Sequence, residues 1–171
     1  SSRRRHTRSD RDWSSDVCSS DLIGECARLG DVPREELRGV VEEMPDPLRA
    51  RARHFVGECD RVARGAVAWR EGELEAFGAL MNASCRSSIE NYQTGSEELV
   101  ALQEIWESTE GVLGARFSGA GFGGCSIALV RTERAQAIGA EVRDRFVADF
   151  PELALRADWT SVASADGLEI R

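Results

Sequence analysis

The stretch with the clearest chemical potential runs from Gly114 to Val130, Gly-Ala-Arg-Phe-Ser-Gly-Ala-Gly-Phe-Gly-Gly-Cys-Ser-Ile-Ala-Leu-Val. Gly119, Gly121, Gly123 and Gly124 remove the Cβ atoms that would screen main-chain N–H groups, and they admit positive φ angles in a tight loop. Successive bare amides form a concave donor surface, which suits a phosphoryl group or a sugar hydroxyl. The candidate ligand loop is therefore Ser118, Gly119, Ala120, Gly121, Phe122, Gly123 and Gly124. Ser118 adds a hydroxyl donor, although serine in such a place equally often holds the turn through its own backbone. The glycine spacing loosely matches a dinucleotide fingerprint, but that motif must open directly into a helix, and Cys125 to Val130 reads as a strand. A Walker-type phosphate loop is excluded as well: there is no Gly-Lys-Ser/Thr, and the chain contains no lysine. The plain alternative is a glycine-rich hairpin that only reverses the chain.

Other reactive residues carry less. Tyr92, next to Glu90 and Asn91 in a polar stretch, is a candidate ligand contact; the alternative is a packed ring with an exposed hydroxyl. His54 reads as a half-buried helix histidine, because no nucleophile or carboxylate stands at a matching spacing. Trp69 and Trp106 occur at helical core spacing and are expected inside. Glu97 and Glu98 at a helix start complement the helix dipole and need no catalytic role. Cys18, Cys26, Cys59, Cys85 and Cys125 are odd in number and lack CxxC spacing, so reduced thiols are expected. With His6 and His54 the only histidines, no metal site is expected from this chain alone.

Several elements must position the loop. Asp31 is expected to cap a helix that turns Leu37, Val40, Val41 and Met44 to one side. Pro45-Asp46-Pro47 ends it, with Asp46 capping the next helix and Pro47 in its first turn. Leu48, Ala52, Phe55, Val56, Cys59, Val62, Ala63, Ala66 and Trp69 then trace a continuous apolar stripe. Gly72 breaks this long helix, and Leu74, Phe77, Leu80 and Met81 predict a shorter one packed back as an antiparallel hairpin. A polar segment, Ser84 to Gly95, precedes a helix from Ser96 with Leu99, Leu102, Ile105 and Trp106 inward. Strands are expected at 114–118 and 125–130, then a helix capped by Thr132 with Ile138, Val142 and Phe146 four apart. Further strands are predicted at 155–163 and 168–170. Helices followed by strands and one more helix indicate an α+β fold, with helices covering one face of a small antiparallel sheet.

At 171 residues and 42% hydrophobic, the chain is long enough for one domain with a real core. A net charge of -8 argues against a nucleic-acid partner, which requires a basic face. No run of about 18 apolar residues is present, so neither a membrane span nor a signal peptide is expected, and the expected location is cytoplasmic. Ser1 to Leu22 has almost no apolar residues and no periodicity. It resembles a translated sequencing adapter and is expected to be disordered and non-native, leaving 23–171 as the domain. The alternative is a native tail whose arginines and aspartates nearly cancel.

Taken together, Gly114 to Val130 resembles the third motif of galactokinases, members of the GHMP kinases. The stretch from about Asp46 to Val130 is similar to that family too, through Arg51-Ala52-Arg53-His54, Leu74 to Gly78 and Leu80-Met81-Asn82. Ser87 to Tyr92 and Arg116-Phe117-Ser118-Gly119 lean toward galacturonokinases and arabinokinases, whereas Gly123 follows the galactokinase form; the sugar stays open. The resemblance implies a GHMP kinase carboxy-terminal domain, with ATP phosphorylating the anomeric hydroxyl of galactose or a related sugar such as galacturonate. It places Ser118 to Gly124 beside sugar and γ-phosphate. It also implies that the catalytic Asp and Arg, the ATP-binding loop and the Mg2+ ligand belong to an amino-terminal lobe absent here, so this chain alone is expected to be inactive. The alternatives are a non-catalytic sugar-binding regulator of the same fold and another GHMP small-molecule kinase.

Overall fold

The computed structural model describes residues 29–163. These fall into two compact units divided between Val56 and Gly57. Ser1 to Leu22, Cys18, Cys26 and the strand expected at 168–170 lie outside the described residues.

The first unit holds a 3-10 turn at Leu29–Asp31, helix α1 at Arg34–Val40, a second 3-10 turn at Val41–Glu43, and the opening of helix α2, Leu48–Glu71. The predicted apolar face is buried: Val32, Leu37, Val41, Met44, Ala52 and Val56 form one cluster. The expected caps differ. Pro33 holds the N-cap position of α1 while Asp31 sits inside the short turn. Asp46 instead accepts from Arg49 Nη2 at 2.5 Å and from its Nε at 3.3 Å, a nearby guanidinium being a stronger partner than main-chain amides. Arg53 pairs likewise with Glu42.

In the second unit α2 ends at Gly72, whose φ of +72° only glycine adopts freely. Helix α3, Leu74–Glu90, returns beside it. Phe77 lies over Gly65 and Ser84 donates to Glu58, so the two helices run antiparallel, as predicted. The helix α3 is longer than the apolar pattern indicated. Ser84, Ser87 and Ser88, expected in a polar linker, are buried helical residues. Their hydroxyls find partners inside: Ser88 Oγ donates to Ser84 O at 3.0 Å and Ser84 Oγ to Glu58 Oε2 at 2.8 Å. A polar run so satisfied can be packed as a helix. Helix α4, Glu97–Ser108, starts on Ser96, whose Oγ accepts from Leu99 N.

Strands β1, Val112–Phe117, and β2, Ser126–Val130, make a two-stranded antiparallel sheet. Ala115 faces Ala128 in the register, and Phe117 faces Ser126. The Ala115 N–H donates to Asn82 Oδ1 at 2.7 Å and its carbonyl accepts from Gln103 Nε2 at 2.9 Å. An antiparallel residue sends both main-chain groups the same way, so these two point away from β2. Side chains of α3 and α4 thereby close the outer edge of β1. At Gly78 and Gly114 the backbones of α3 and β1 meet directly: a Cβ on either would overlap a main-chain carbonyl of the other element.

Helix α5, Ala135–Asp149, buries Ile138, Val142 and Phe146 against Ile105, with half-buried Trp106 alongside, as predicted. A second cluster joins Cys85, Leu99 and Phe117. The α+β arrangement of helices on a small antiparallel sheet thus holds. Thr132 does not cap α5: it opens a 3-10 turn at Thr132–Arg134, and Arg134 takes the N-cap position. No strand forms over 155–163. Leu155 is fully exposed, Trp159 covers Gly139 and Arg143 Nε donates to Ala157 O at 3.1 Å, so the segment is held on α5 by side chains instead of by strand pairing. The α2 stripe also stops short. Val62 and Trp69 are 68% and 45% exposed, so Trp69 is not a core residue; its ring leans on Phe77 at 5.0 Å. Within this unit α2 packs on α3 through Gly65 and Ala68, and its flanking apolar residues stay open.

Candidate functional site

The glycine-rich segment is a loop from one strand to the next, and it enters no helix. Its two stems are tied: Ser118 N donates to Cys125 O at 2.8 Å and Ser126 Oγ to Arg116 O at 3.0 Å. Gly119, Gly121, Gly123 and Gly124 all have positive φ, from +76° to +137°. Gly121 alone is buried; its carbonyl accepts from Ser96 N at 2.6 Å, and a Cβ there would stand 2.7 Å from the Phe117 ring. The other loop residues are exposed, and side chains added at Gly119, Gly123 or Gly124 would meet open space. Among the described residues, no main-chain carbonyl accepts from the N–H groups of Gly119 through Gly124. The loop thus leaves these N–H groups without main-chain acceptors, on a stem tied at both sides.

Tyr92 follows the end of α3, with its N–H on Ser87 O and Gln93 beside it at φ +58°. Its segment reaches the loop through Gly95 and Ser96, which abut Gly121. Tyr92 is 36% exposed. His54 belongs to the first unit and the loop to the second.

One group was not anticipated from sequence. Arg116, facing the helical hairpin, donates from Nη1 to Ser84 Oγ at 2.7 Å and lies 3.7 Å from Glu58 Oε2. Glu58 also accepts from Arg61 Nε. The Glu58–Arg61 pair has readable i, i+3 spacing, but nothing in a linear pattern brings Ser84 and Arg116 to it.

Cys59, Cys85 and Cys125 are free thiols, Cys125 exposed at the loop's end and Cys85 buried. Burial pushes the Cys85 thiol pKa up, against a smaller opposing effect of its hydrogen bond to Phe117. Among the described residues no three His, Cys, Asp or Glu side chains gather to hold a metal ion, and no helix is long and apolar enough to cross a membrane.

Residues 66–148 match the family described as GHMP kinases C terminal. Galacturonokinase of Arabidopsis thaliana is 47% identical over 112 residues, covering 66% of this chain and 26% of that protein. Galactokinase of Roseiflexus sp. is 43% identical over 102 residues, covering 60% and 26%. The chain thus spans 26% of the length of these curated relatives. The crystal structure of Lactococcus lactis galactokinase complexed with galactose superposes with a TM-score of 0.68 at 35% identity, over 77% of this chain and 34% of that one.

Proposed function

The chain carries a GHMP kinase carboxy-terminal domain, and from that premise we propose that it is one lobe of an ATP-dependent sugar 1-kinase acting on galactose or a uronic acid such as galacturonate. The observation that carries this reading is the strand-to-strand loop Ser118 to Gly124, with its positive-φ glycines and unengaged amides. In the reaction the anomeric oxygen of the sugar bonds to the γ-phosphorus of ATP, the bond to the bridging oxygen breaks, and ADP leaves. Phosphoryl transfer relies chiefly on positioning and on neutralising oxygen charge. The loop amides supply such donors, preorganised and requiring no reorientation. Ser118 adds its hydroxyl, and Tyr92 borders the sugar.

ATP phosphates match the loop's donors. Mg2+ neutralises phosphate charge when bound, and among the described residues no three His, Cys, Asp or Glu side chains gather to hold it. We assign its ligands, the catalytic carboxylate that receives the hydroxyl proton, and the adenine pocket to a lobe outside this chain. That assignment agrees with the chain spanning 26% of its relatives' length. The 47% identity to a galacturonokinase supports including uronic acids among the substrates.

The test is a product assay. The chain joined to the lobe that complements it should convert ATP and either galactose or galacturonate to ADP and the sugar 1-phosphate, while the chain alone should show no turnover. Absence of sugar-dependent ADP release from the joined protein with both sugars would overturn the assignment.

A further inference from the structure

The candidate loop contains little that could hold its shape. Four of its residues have positive φ and its amides are unengaged, so its aim must be set by the stems and by what the stems are tied to. Ser118 to Cys125 and Ser126 to Arg116 tie stem to stem. Ser96 holds Gly121 from the start of α4. Asn82 fixes Ala115, three residues before Ser118, to α3.

Arg116 carries that attachment up to the mouth. Its Nη1 bonds Ser84 of α3 at 2.7 Å and faces Glu58 of α2 at 3.7 Å. Ser84 bonds the same Glu58 oxygen at 2.8 Å. The Arg116 Nε turns back to the Phe117 carbonyl at 3.2 Å, one residue before Ser118, and its own carbonyl takes the Ser126 hydroxyl. One residue thus connects both helices of the hairpin to both stems, its side chain reaching Ser84, Glu58 and Phe117 and its main-chain carbonyl reaching Ser126. The surroundings favour a fixed geometry: the side chains of Arg116 and Glu58 are 31% and 23% exposed, against 57% and 66% for the Arg131–Glu75 pair. Partly desolvated charges are screened less than exposed ones. The planar guanidinium also sets direction as well as distance, which a lysine does not. An aliphatic residue would pack this strand face at less desolvation cost, so the fork is better explained by orientation than by stability.

We propose that Arg116, held by Glu58 and Ser84, is a positioning residue that fixes the loop Ser118–Gly124 on the helical hairpin and so aims its amides at the ligand. The aiming rests on the function proposed above; the fixing does not.

The experiment uses the whole chain labelled with nitrogen-15, in Arg116→Lys, Glu58→Gln and Ser84→Ala forms, with Glu75→Gln as a control of an exposed pair. Amide shifts and heteronuclear NOEs of Gly119 to Gly124 and hydrogen exchange of the Ser118 N–H are measured, then repeated with galactose and with inorganic phosphate. The three network variants should lower the loop NOEs, displace the loop amides and speed Ser118 exchange severalfold, while α4 and α5 keep their spectra and Glu75→Gln changes nothing in the loop. Arg116→Lys retains the charge, so loss of loop order there isolates the fork. Should that variant fail to fold, Ser84→Ala, which removes one hydroxyl, decides the matter. Loop amides unchanged in a folded Ser84→Ala or Arg116→Lys protein overturn the proposal, as do changes spread evenly through α4 and α5. If the unaltered chain's loop ignores both galactose and phosphate, the ligand reading fails while the NOEs still decide the positioning.

Discussion

Gly121 and Gly123 stand two residues apart in one loop, yet a methyl group would fare differently at each. At Gly121 it meets a positive φ of +79°, the Phe117 ring at 2.7 Å and the Gly95 nitrogen at 3.0 Å. Left-handed strain and overpacking together should cost about 3 kcal/mol, so Gly121→Ala should lower the urea midpoint clearly. At Gly123 there is open space and a φ of +137°. There the substitution should cost about 1 kcal/mol from backbone strain and act on ligand contact more than on folding, which isothermal titration with sugar would separate. The thiols differ just as sharply. Burial raises the Cys85 pKa and hides the sulfur, while Cys125 is exposed. Only the thiolate reacts, so iodoacetamide at pH 8 should label Cys125 well ahead of Cys85, which stays unmodified in the folded chain, as read by peptide mass.

Among the elements, α4 depends on its first residue. Ser96→Ala removes the acceptor for Leu99 N and should cost about 1 kcal/mol, seen as a lowered thermal midpoint. The turn before α2 reports on acid. Glu42 is held below its ordinary 4.5, first by the hydrogen bond from Arg53, and Asp46 below 3.8 by that from Arg49. Both folded-state values are lowered, so the stabilisation is present above the ordinary carboxylate range and is lost as pH falls through the lower folded values. Arg53→Met with Arg49→Met should therefore flatten the acid limb of a circular-dichroism titration below pH 4.5 and leave its shape near neutrality unchanged. How much of this was legible follows from where each residue's partner lies. The helices around Leu37, Leu99 and Ile138, the break at Gly72 and the strand-loop-strand at Ser118 rest on local pattern, and they stand as read. Ser84 to Ser88 looked like linker because hydroxyls count as polar until a Glu58 or a carbonyl one turn away is known to receive them. Val62 and Trp69 looked like core because periodicity gives a helix face without saying whether anything covers it. Leu155 to Ala163 looked like a strand, but Trp159 finds α5 rather than a neighbouring strand. Within the candidate site, glycine spacing marked the loop, whereas Arg116, Glu58 and Ser84 are far apart in sequence and meet only through the hairpin.

For the molecule as a whole, the open side of α2 sets solution behaviour. Val62, Val67, Trp69 and Leu74, with Ile127 on β2, are all exposed, and a groove of about 690 Å³ lined by Ala63, Val67, Ala76 and Leu80 runs along the hairpin. Apolar surface of this kind promotes association, opposed by the net charge of -8. Sedimentation of the chain alone should show self-association that grows with protein concentration and with salt, and Trp69→Glu should suppress it. Equal behaviour of the two proteins would point to another surface. The bare contact of Gly78 with Gly114 has a different consequence. Where two main chains touch with no side chain between them, no rotamer change at the contact can alter their separation. The anchorage beneath the candidate loop is thereby set by backbone meeting backbone, and any side chain placed at either glycine would force α3 and β1 apart.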